Sequence, residues 1–265
     1  MKLQVLVDNN TFIDMYYLGE PAVSYYIEDE DTKILFDTGY SDIFIRNANK
    51  MNIDLNNIDK IVLSHGHNDH TRGLNYLDLN DKKDLICHED ALNYKELDNL
   101  SIGIELNKKQ LEEKYNLNII NKPIQISKNI TYLGEIPTCN DFEPRKVIGQ
   151  QKINNKLVND LVLEDTAIVY KHKDGLFIIT GCSHAGICNI VEYAKDVCND
   201  SRILGIIGGF HLFEVNDQIL KTIEYFKANN IQILYPCHCV SLDVKIEMAK
   251  KLKINEVGVG LVLEI

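Results

Sequence analysis

The chain has 265 residues, 45% of them hydrophobic and 25% charged, a composition ordinary for a globular protein and a length sufficient for one large domain or two small ones. Its net charge of −11 argues against nucleic acid as the main partner, because a phosphate backbone needs a basic footprint. Seven scattered cysteines do not read as a disulfide framework, and no apolar run reaches the length of a membrane span, so with an N-terminus that opens directly into a strand pattern the expected location is cytoplasmic.

Leu3–Val7 and Ala22–Ile27 read as strands, joined by a polar segment with Gly19-Glu20-Pro21. Ser24–Ile27 and Ile34–Phe36 form a hairpin pattern connected by Glu28-Asp29-Glu30-Asp31, which reads as a solvated turn. Ser41 is placed to cap a helix carrying Ile43, Phe44, Ala48 and Met51. Asp59–Leu63 is the next strand, so the first half runs β-β-β-α-β.

That strand ends in Ser64-His65-Gly66-His67-Asn68-Asp69-His70. Three of the eight histidines fall within six residues, a clustering that a solvated turn rarely shows. His65 and His67, two apart on extended backbone, point the same way and can grip one ion. Asp69 and His70 follow where the chain curls and can face a second ion beside the first. The C-terminal end of a strand is where open α/β sheets commonly place their sites.

Beyond the motif, Arg72-Gly73-Leu74 is expected to begin a helix, and Asp84–His88 to form a short strand. Residues 90–122, rich in Asn, Lys, Leu and Glu, suggest a helical insertion with Leu106, Leu111 and Tyr115 as its apolar positions. Short strands and turns resume over 122–143. With no repeat and no linker rich in Gly or Pro, the expectation is a single domain over 1–265 with a cap or insertion at about 90–160.

Asp165–Tyr170 and Leu176–Thr180 pair as a hairpin around Lys173-Asp174-Gly175, followed by a turn over 181–186 and a helix over 190–197. Ile203–Ile207 is a strand, and residues 216–228 a helix with Ile219, Leu220, Ile223 and Phe226 on one face. A strand over 231–235, a helix over 244–252 and a strand over 256–265 close the chain. His184, His211 and His238 each lie just after a predicted strand. Each alone is ambiguous, but three in phase with strand ends, added to His65–His70, favour one convergent site. Cys237 and Cys239 flank His238 and read as packing residues rather than ligands. His172, in a polar hairpin, is expected to be exposed; Arg72, Arg145 and Lys146 are candidate anion contacts for which surface salt bridges compete.

His-x-His-x-Asp-His after a hydrophobic strand resembles the signature of the metallo-β-lactamase superfamily. Lys33-Ile34-Leu35-Phe36-Asp37-Thr38-Gly39 resembles the strand and turn that precede it there. Thr180-Gly181-Cys182-Ser183-His184-Ala185-Gly186, Gly208-Gly209-Phe210-His211 and Pro236-Cys237-His238-Cys239 resemble a subgroup known as dihydropterin ribofuranosyl-aminobenzene phosphate synthases or metal-dependent hydrolases. The resemblance covers nearly the whole chain. It implies an α/β (α+β) fold, the four-layer αββα sandwich of the family. It implies two divalent metal ions, zinc first, with iron or manganese as alternatives.

His238 best matches the family's final metal histidine, and His184 comes next, exposed in a tight turn. His211 is either a ligand or a hydrogen-bond partner of substrate or of a ligand. His88 stands where the family has a structural or cap residue and is read as a non-ligand. Many members carry a metal-bridging aspartate where this chain has Cys182. Either that thiolate binds metal, or the role is lost or supplied elsewhere, for example by Asp165; a buried, inert thiol is the competing reading.

The expected ligands are therefore His65, His67, Asp69, His70, Cys182, His184 and His238, with Asp69 and His211 in catalytic roles. Asp69 would orient the nucleophile or accept its proton. Neither a Gly-x-Ser-x-Gly elbow nor a P-loop nor a dinucleotide fingerprint offers competing chemistry. The expected function is hydrolysis of a small anionic ester, lactone or phosphodiester by metal-activated water. The alternatives are a pterin-related synthase reaction and a non-catalytic metal or ligand sensor on the same fold. The expected partner is a small anionic molecule, with neither nucleic acid nor membrane, and homo-oligomerisation is left open.

Overall fold

The computed structural model describes residues 1–265, and by its internal contacts the chain divides into two compact units. One comprises Met1–Asn121, Val147–Glu164 and Gly258–Ile265; the other comprises Lys122–Lys146 and Asp165–Val257.

In the first unit, near-continuous buried runs with β-branched and aromatic residues drive Lys2–Val7, Ser24–Asp29 and Thr32–Phe36 into an antiparallel meander. The hairpin turns at Glu30, whose φ of 52° lies in the left-handed region a tight turn requires. Tyr25 pairs with Phe36 across it, and their rings stack with centroids 6.2 Å apart. Lys60–Val62, Asp84–Cys87 and Asn116–Ile119 then add in parallel, and Val262–Glu264 pairs on the far edge, giving seven strands. The helix Ile43–Lys50 buries Phe44 and Ala48 in a core with Leu35, Ile61 and Leu85. Ser41 does assist its start: the Ile43 N–H donates to Ser41 Oγ at 3.2 Å, one position ahead of the N-cap residue Asp42.

The helical insertion expected over 90–122 is not what forms. The only α-helix there is Lys108–Lys114, closed by an Asn107/Gln110 capping box. Lys95–Leu97 and Leu100–Ser101 are a hairpin instead, and with Gln150–Ile153 and Lys156–Asn159 they build a four-stranded sheet. Asp98 and Asn99 supply the two positive-φ positions of a two-residue hairpin turn, a local signal that outweighs the helix propensity of the neighbouring residues. Arg72–Asn75 is a 3₁₀ turn that continues the short helix Asn68–Thr71, not the start of a longer helix.

In the second unit, Ile124–Gln125, Ile130–Tyr132, Ala167–His172 and Gly175–Thr180 run antiparallel, and Ile203–Gly208 and Ile233–Pro236 extend the sheet in parallel. The helices Ile187–Cys198, Asp217–Ala228 and Leu242–Ala249 pack on it through Ile190, Val191, Ile223, Phe226 and Val244. Leu220 is not on the buried face of its helix: it is 47% exposed, and Thr222 is buried in its place, its hydroxyl donating to the Gln218 carbonyl. No helix of the chain is long and apolar enough to cross a membrane.

Candidate metal-binding residues

In the first unit the parallel strands Thr32–Phe36 and Lys60–Val62 end side by side, and each continues into a turn that carries chemistry. Asp37, at φ 56°, leaves its strand in a left-handed conformation that aims its carboxylate at the neighbouring turn. Asp37 Oδ1 accepts the Ser64 N–H at 2.7 Å, and Oδ2 accepts the Ser64 hydroxyl at 2.7 Å. Oδ2 also lies 2.7 Å from His70 Nδ1. A carboxylate only accepts, so Nδ1 carries the proton and Nε2 is turned toward Asp69, 3.4 Å from its Oδ2.

His65 Nε2 and His67 Nδ1 stand 3.0 Å apart, and with Asp69 they form a set whose ligand atoms lie within 4.8 Å of one another. Two ligands about 2.1 Å from a tetrahedral zinc ion lie about 3.4 Å apart, so this donor set fits a divalent ion with little rearrangement. Burial pushes His67 down to about 4, against the field of Asp69 and with Lys95 and His70 adding to the fall, so its ring is neutral and able to ligate at pH 7. Burial alone would also lower His70. The Asp69 and Asp37 carboxylates outweigh it and hold His70 well above the usual histidine range.

Gly66 lets the turn pass against its neighbours: a Cβ there would meet the Ala91 carbonyl at 2.6 Å and Lys95 Cε at 2.9 Å. Its N–H donates to Glu164 Oε1 at 3.3 Å, and Glu164 in turn pairs with the fully buried Lys95. His88 caps the 3₁₀ turn Glu89–Leu92, Nδ1 accepting the Asp90 N–H at 3.1 Å. Arg72 donates from Nε to Glu105 at 2.7 Å and lies over the Tyr40 ring, 4.4 Å from its centroid.

In the second unit the strands Gly175–Thr180, Ile203–Gly208 and Ile233–Pro236 are parallel neighbours, so the three segments that follow them are brought together. The Gly209 N–H donates to Gly181 O, the Cys237 N–H to Gly208 O and the Leu212 N–H to Cys239 O, at 2.9, 3.0 and 3.1 Å. The Ser183 hydroxyl donates to Gly209 O at 2.6 Å. A Cβ on Gly208 would fall 2.1 Å from Thr180 O, and one on Gly209 would fall 2.5 Å from both Gly181 O and Cys239 Sγ. Both close approaches admit only glycine.

Within this cluster the His184 and His211 rings lie 4.2 Å apart, and His211 also packs edge-on against Phe213. Ser183, His211 and His238 all have positive φ, between 49° and 58°, a concentration of strained backbone typical of functional turns. Cys182 is buried; Asp165 is fully buried and Oδ2 accepts the Ala185 N–H at 2.9 Å, so it braces the turn that carries His184.

Cys239 does more than pack. Its Sγ accepts the His211 N–H at 3.3 Å and donates to Cys182 O at 3.5 Å, joining all three turns. The alternation that would aim it away from His238 presumes extended backbone, and His238 is left-handed. His172 is half-buried, not exposed, and accepts the Asp174 N–H at 3.2 Å. Arg145 donates to Ile136 O at 2.9 Å, and Lys146 is exposed.

Asp37 was visible as part of the strand-and-turn stretch without a role of its own, though an Asp-Thr-Gly directly after a buried strand is the local signal. Lys95, Asp160, Glu164 and the bracing contact of Cys239 carried no signal in spacing, since sequence-distant backbone brings each of them into place.

Mixed sheets with helices, strand-end histidines and a His-x-His-x-Asp cluster define an α/β protein with a set of candidate metal ligands. A family model described as the metallo-beta-lactamase superfamily matches residues 18–195, and the chain belongs to that superfamily. It is 30% identical to the solved structure of Tm1679, a metal-dependent hydrolase of the beta-lactamase superfamily, covering 100% of this chain and 99% of that one with a TM-score of 0.87. The expected fold class is therefore the one observed. The chain is 35% identical over 252 residues, 94% of each chain, to an uncharacterized protein of Methanocaldococcus jannaschii. It is also 28% identical over 262 residues to the 7,8-dihydropterin-6-methyl-4-(beta-D-ribofuranosyl)-aminobenzene-5'-phosphate synthase of that organism, 92% of this chain and 89% of the relative.

Proposed function

We propose that the chain is a cytoplasmic metal-dependent hydrolase acting on a small anionic ester, lactone or phosphodiester. The observation that carries the reading is the His65 Nε2 to His67 Nδ1 approach of 3.0 Å, with Asp69 in the same ligand-sized cluster. The ligands assigned are His65, His67, Asp69, His70, Cys182, His184 and His238, for two divalent ions, zinc before iron or manganese.

A bound divalent ion supplies water of lowered pKa and polarises the substrate's carbonyl or phosphoryl oxygen. The chain's own groups do the rest. Asp37 fixes the His70 ring through Nδ1–H and leaves Nε2 for ligation. Asp69, partly exposed, orients the attacking water and accepts its proton. His211, held by Phe213 and by Cys239 Sγ at its N–H, hydrogen-bonds the substrate. Arg72 offers a guanidinium to an anionic group, its stack on Tyr40 limiting the freedom lost on binding.

The test is a screen of the zinc-loaded protein against aryl phosphodiesters, carboxylic esters and lactones. Turnover of at least one class is expected, lowered about 100-fold or more in Asp69→Asn at equal zinc content, in the range of a lost proton-transfer group. Zinc-loaded protein inert toward every class would contradict hydrolysis. A synthase reaction is the second reading, supported by the 28% identical relative that bears the synthase name. Its mark would be a joined product from a pterin and an aminobenzene ribofuranosyl phosphate, with no hydrolysis in the screen.

A further inference from the structure

Behind the His65-Gly66-His67 turn lies a group of charges that its chemistry does not use. Lys95 Nζ is 2.6 Å from Asp160 Oδ2 and 2.9 Å from Glu164 Oε1, and all three side chains are 0% exposed. One ammonium faces two carboxylates, so the formal charge of the cluster is −1. Asp160 spends its second oxygen on the Val162 N–H at 2.8 Å, and Glu164 Oε1 also accepts the Gly66 N–H at 3.3 Å. Glu164 Oε2 is buried without a hydrogen-bond partner.

Burying three charges costs several kcal/mol per ion before pairing, and an apolar trio of similar volume is often as stable or more so. An excess negative charge makes this worse. Nothing in the fold of the hairpin demands it, because Lys95–Leu97 pairs through its backbone. The cluster nevertheless touches the metal turn at its tightest point, the glycine whose missing Cβ lets Lys95 approach.

We propose that Glu164 and Asp160, with Lys95 between them, are positioning residues that hold Gly66 and bias the His65/His67 turn toward a cation. Glu164 acts through the Gly66 N–H, fixing the backbone between the two histidines. Asp160 acts by charge alone, since its hydrogen bonds go to Lys95 and Val162 and not to the turn. Its formal charge of −1 is of the sign that a divalent ion at the adjoining turn would offset. The inference rests on His65 and His67 being ligands.

The experiment is zinc titration of the full chain against a chromophoric chelator, with thermal melting of the metal-free protein. The variants are Glu164→Gln and Asp160→Asn. In Glu164→Gln the amide NH2 can take the place of Oε2, leaving the oxygen to accept from Lys95 and Gly66. The expected result is a zinc Kd raised 10- to 100-fold, the range for partners of metal ligands, with the metal-free Tm unchanged or raised. Asp160→Asn, which leaves the Gly66 contact intact, moves Kd in the same direction. Unchanged Kd in both variants would overturn the proposal. So would a weakened Kd accompanied by a fall in metal-free Tm, the mark of a merely structural cluster. Wild type that takes up no zinc overturns both this proposal and the ligand assignment, whereas tight wild-type binding with unaffected variants overturns this proposal alone.

Discussion

Asp37 Oδ2 lies 2.7 Å from His70 Nδ1, and both side chains are fully buried. The same carboxylate accepts both the N–H and the hydroxyl of Ser64, so it ties the end of one strand to the turn after the next. Replacing Asp37 with Ala removes three hydrogen bonds at once and frees the His70 ring to rotate. Loss of about 3–9 kcal/mol of stability is expected, each of the three buried partner groups left unpaired costing about 1–3 kcal/mol. Zinc affinity should fall with it, and denaturant melts with and without zinc measure both. A variant with wild-type affinity would show that Asp37 does not orient His70.

His67 and His70 together should contribute most to the stability of the metal-free protein near pH 6.5. His67, held at about 4 in the fold, contributes stability above its ordinary value of about 6.5 that is lost as the pH falls through the folded value. His70, held well above its ordinary value, contributes stability in full below about 6.5 that is lost as the pH rises through the folded value. Zinc competes for the His70 proton, so affinity should rise with pH and binding should release protons. Calorimetry in buffers of different ionisation enthalpy measures that release; zero proton release at pH 6.5 would contradict the assignment of His70.

Gly208 has a φ of +137°, and a Cβ there would sit 2.1 Å from Thr180 O. Gly208→Ala should therefore cost about 2–6 kcal/mol, combining backbone strain of about 1–3 kcal/mol with overpacking of about 1–3 kcal/mol. Thermal melting reads it. A loss under 0.5 kcal/mol would mean that the turns carrying His184 and His211 are not as closely joined as described.

Glu143 reaches the start of the helix Ile187–Cys198, its two oxygens accepting the Cys188 and Asn189 N–H groups at 3.1 and 3.0 Å. The residue at the helix N-cap, Gly186, has no side chain to do so. Glu143→Ala should cost about 2 kcal/mol, the upper range for a lost cap. An unchanged denaturation midpoint would contradict that role.

The histidine cluster was legible because its ligands are local: His65, His67 and Asp69 share one turn, and period-two geometry aims the first two together. The strands were legible for the same reason, as runs such as Ile34–Phe36 and Leu176–Thr180 carry their own burial signal. The hairpin at Lys95–Leu97 left only the short turn signal of Asp98-Asn99, since its pairing with Gln150–Ile153 is decided far along the chain and its own sequence is rich in helix formers. Lys95, Asp160 and Glu164 were invisible likewise; apart in sequence each reads as surface charge, and only the fold buries them.

Elemental analysis of purified wild type and His67→Ala, both prepared without chelator, tests whether the histidine cluster holds metal. Two equivalents of divalent metal are expected in the wild type, with a reduced content in a variant that keeps the wild-type circular dichroism spectrum. Wild type that carries no metal and takes up none on titration with zinc, iron(II) or manganese would contradict it.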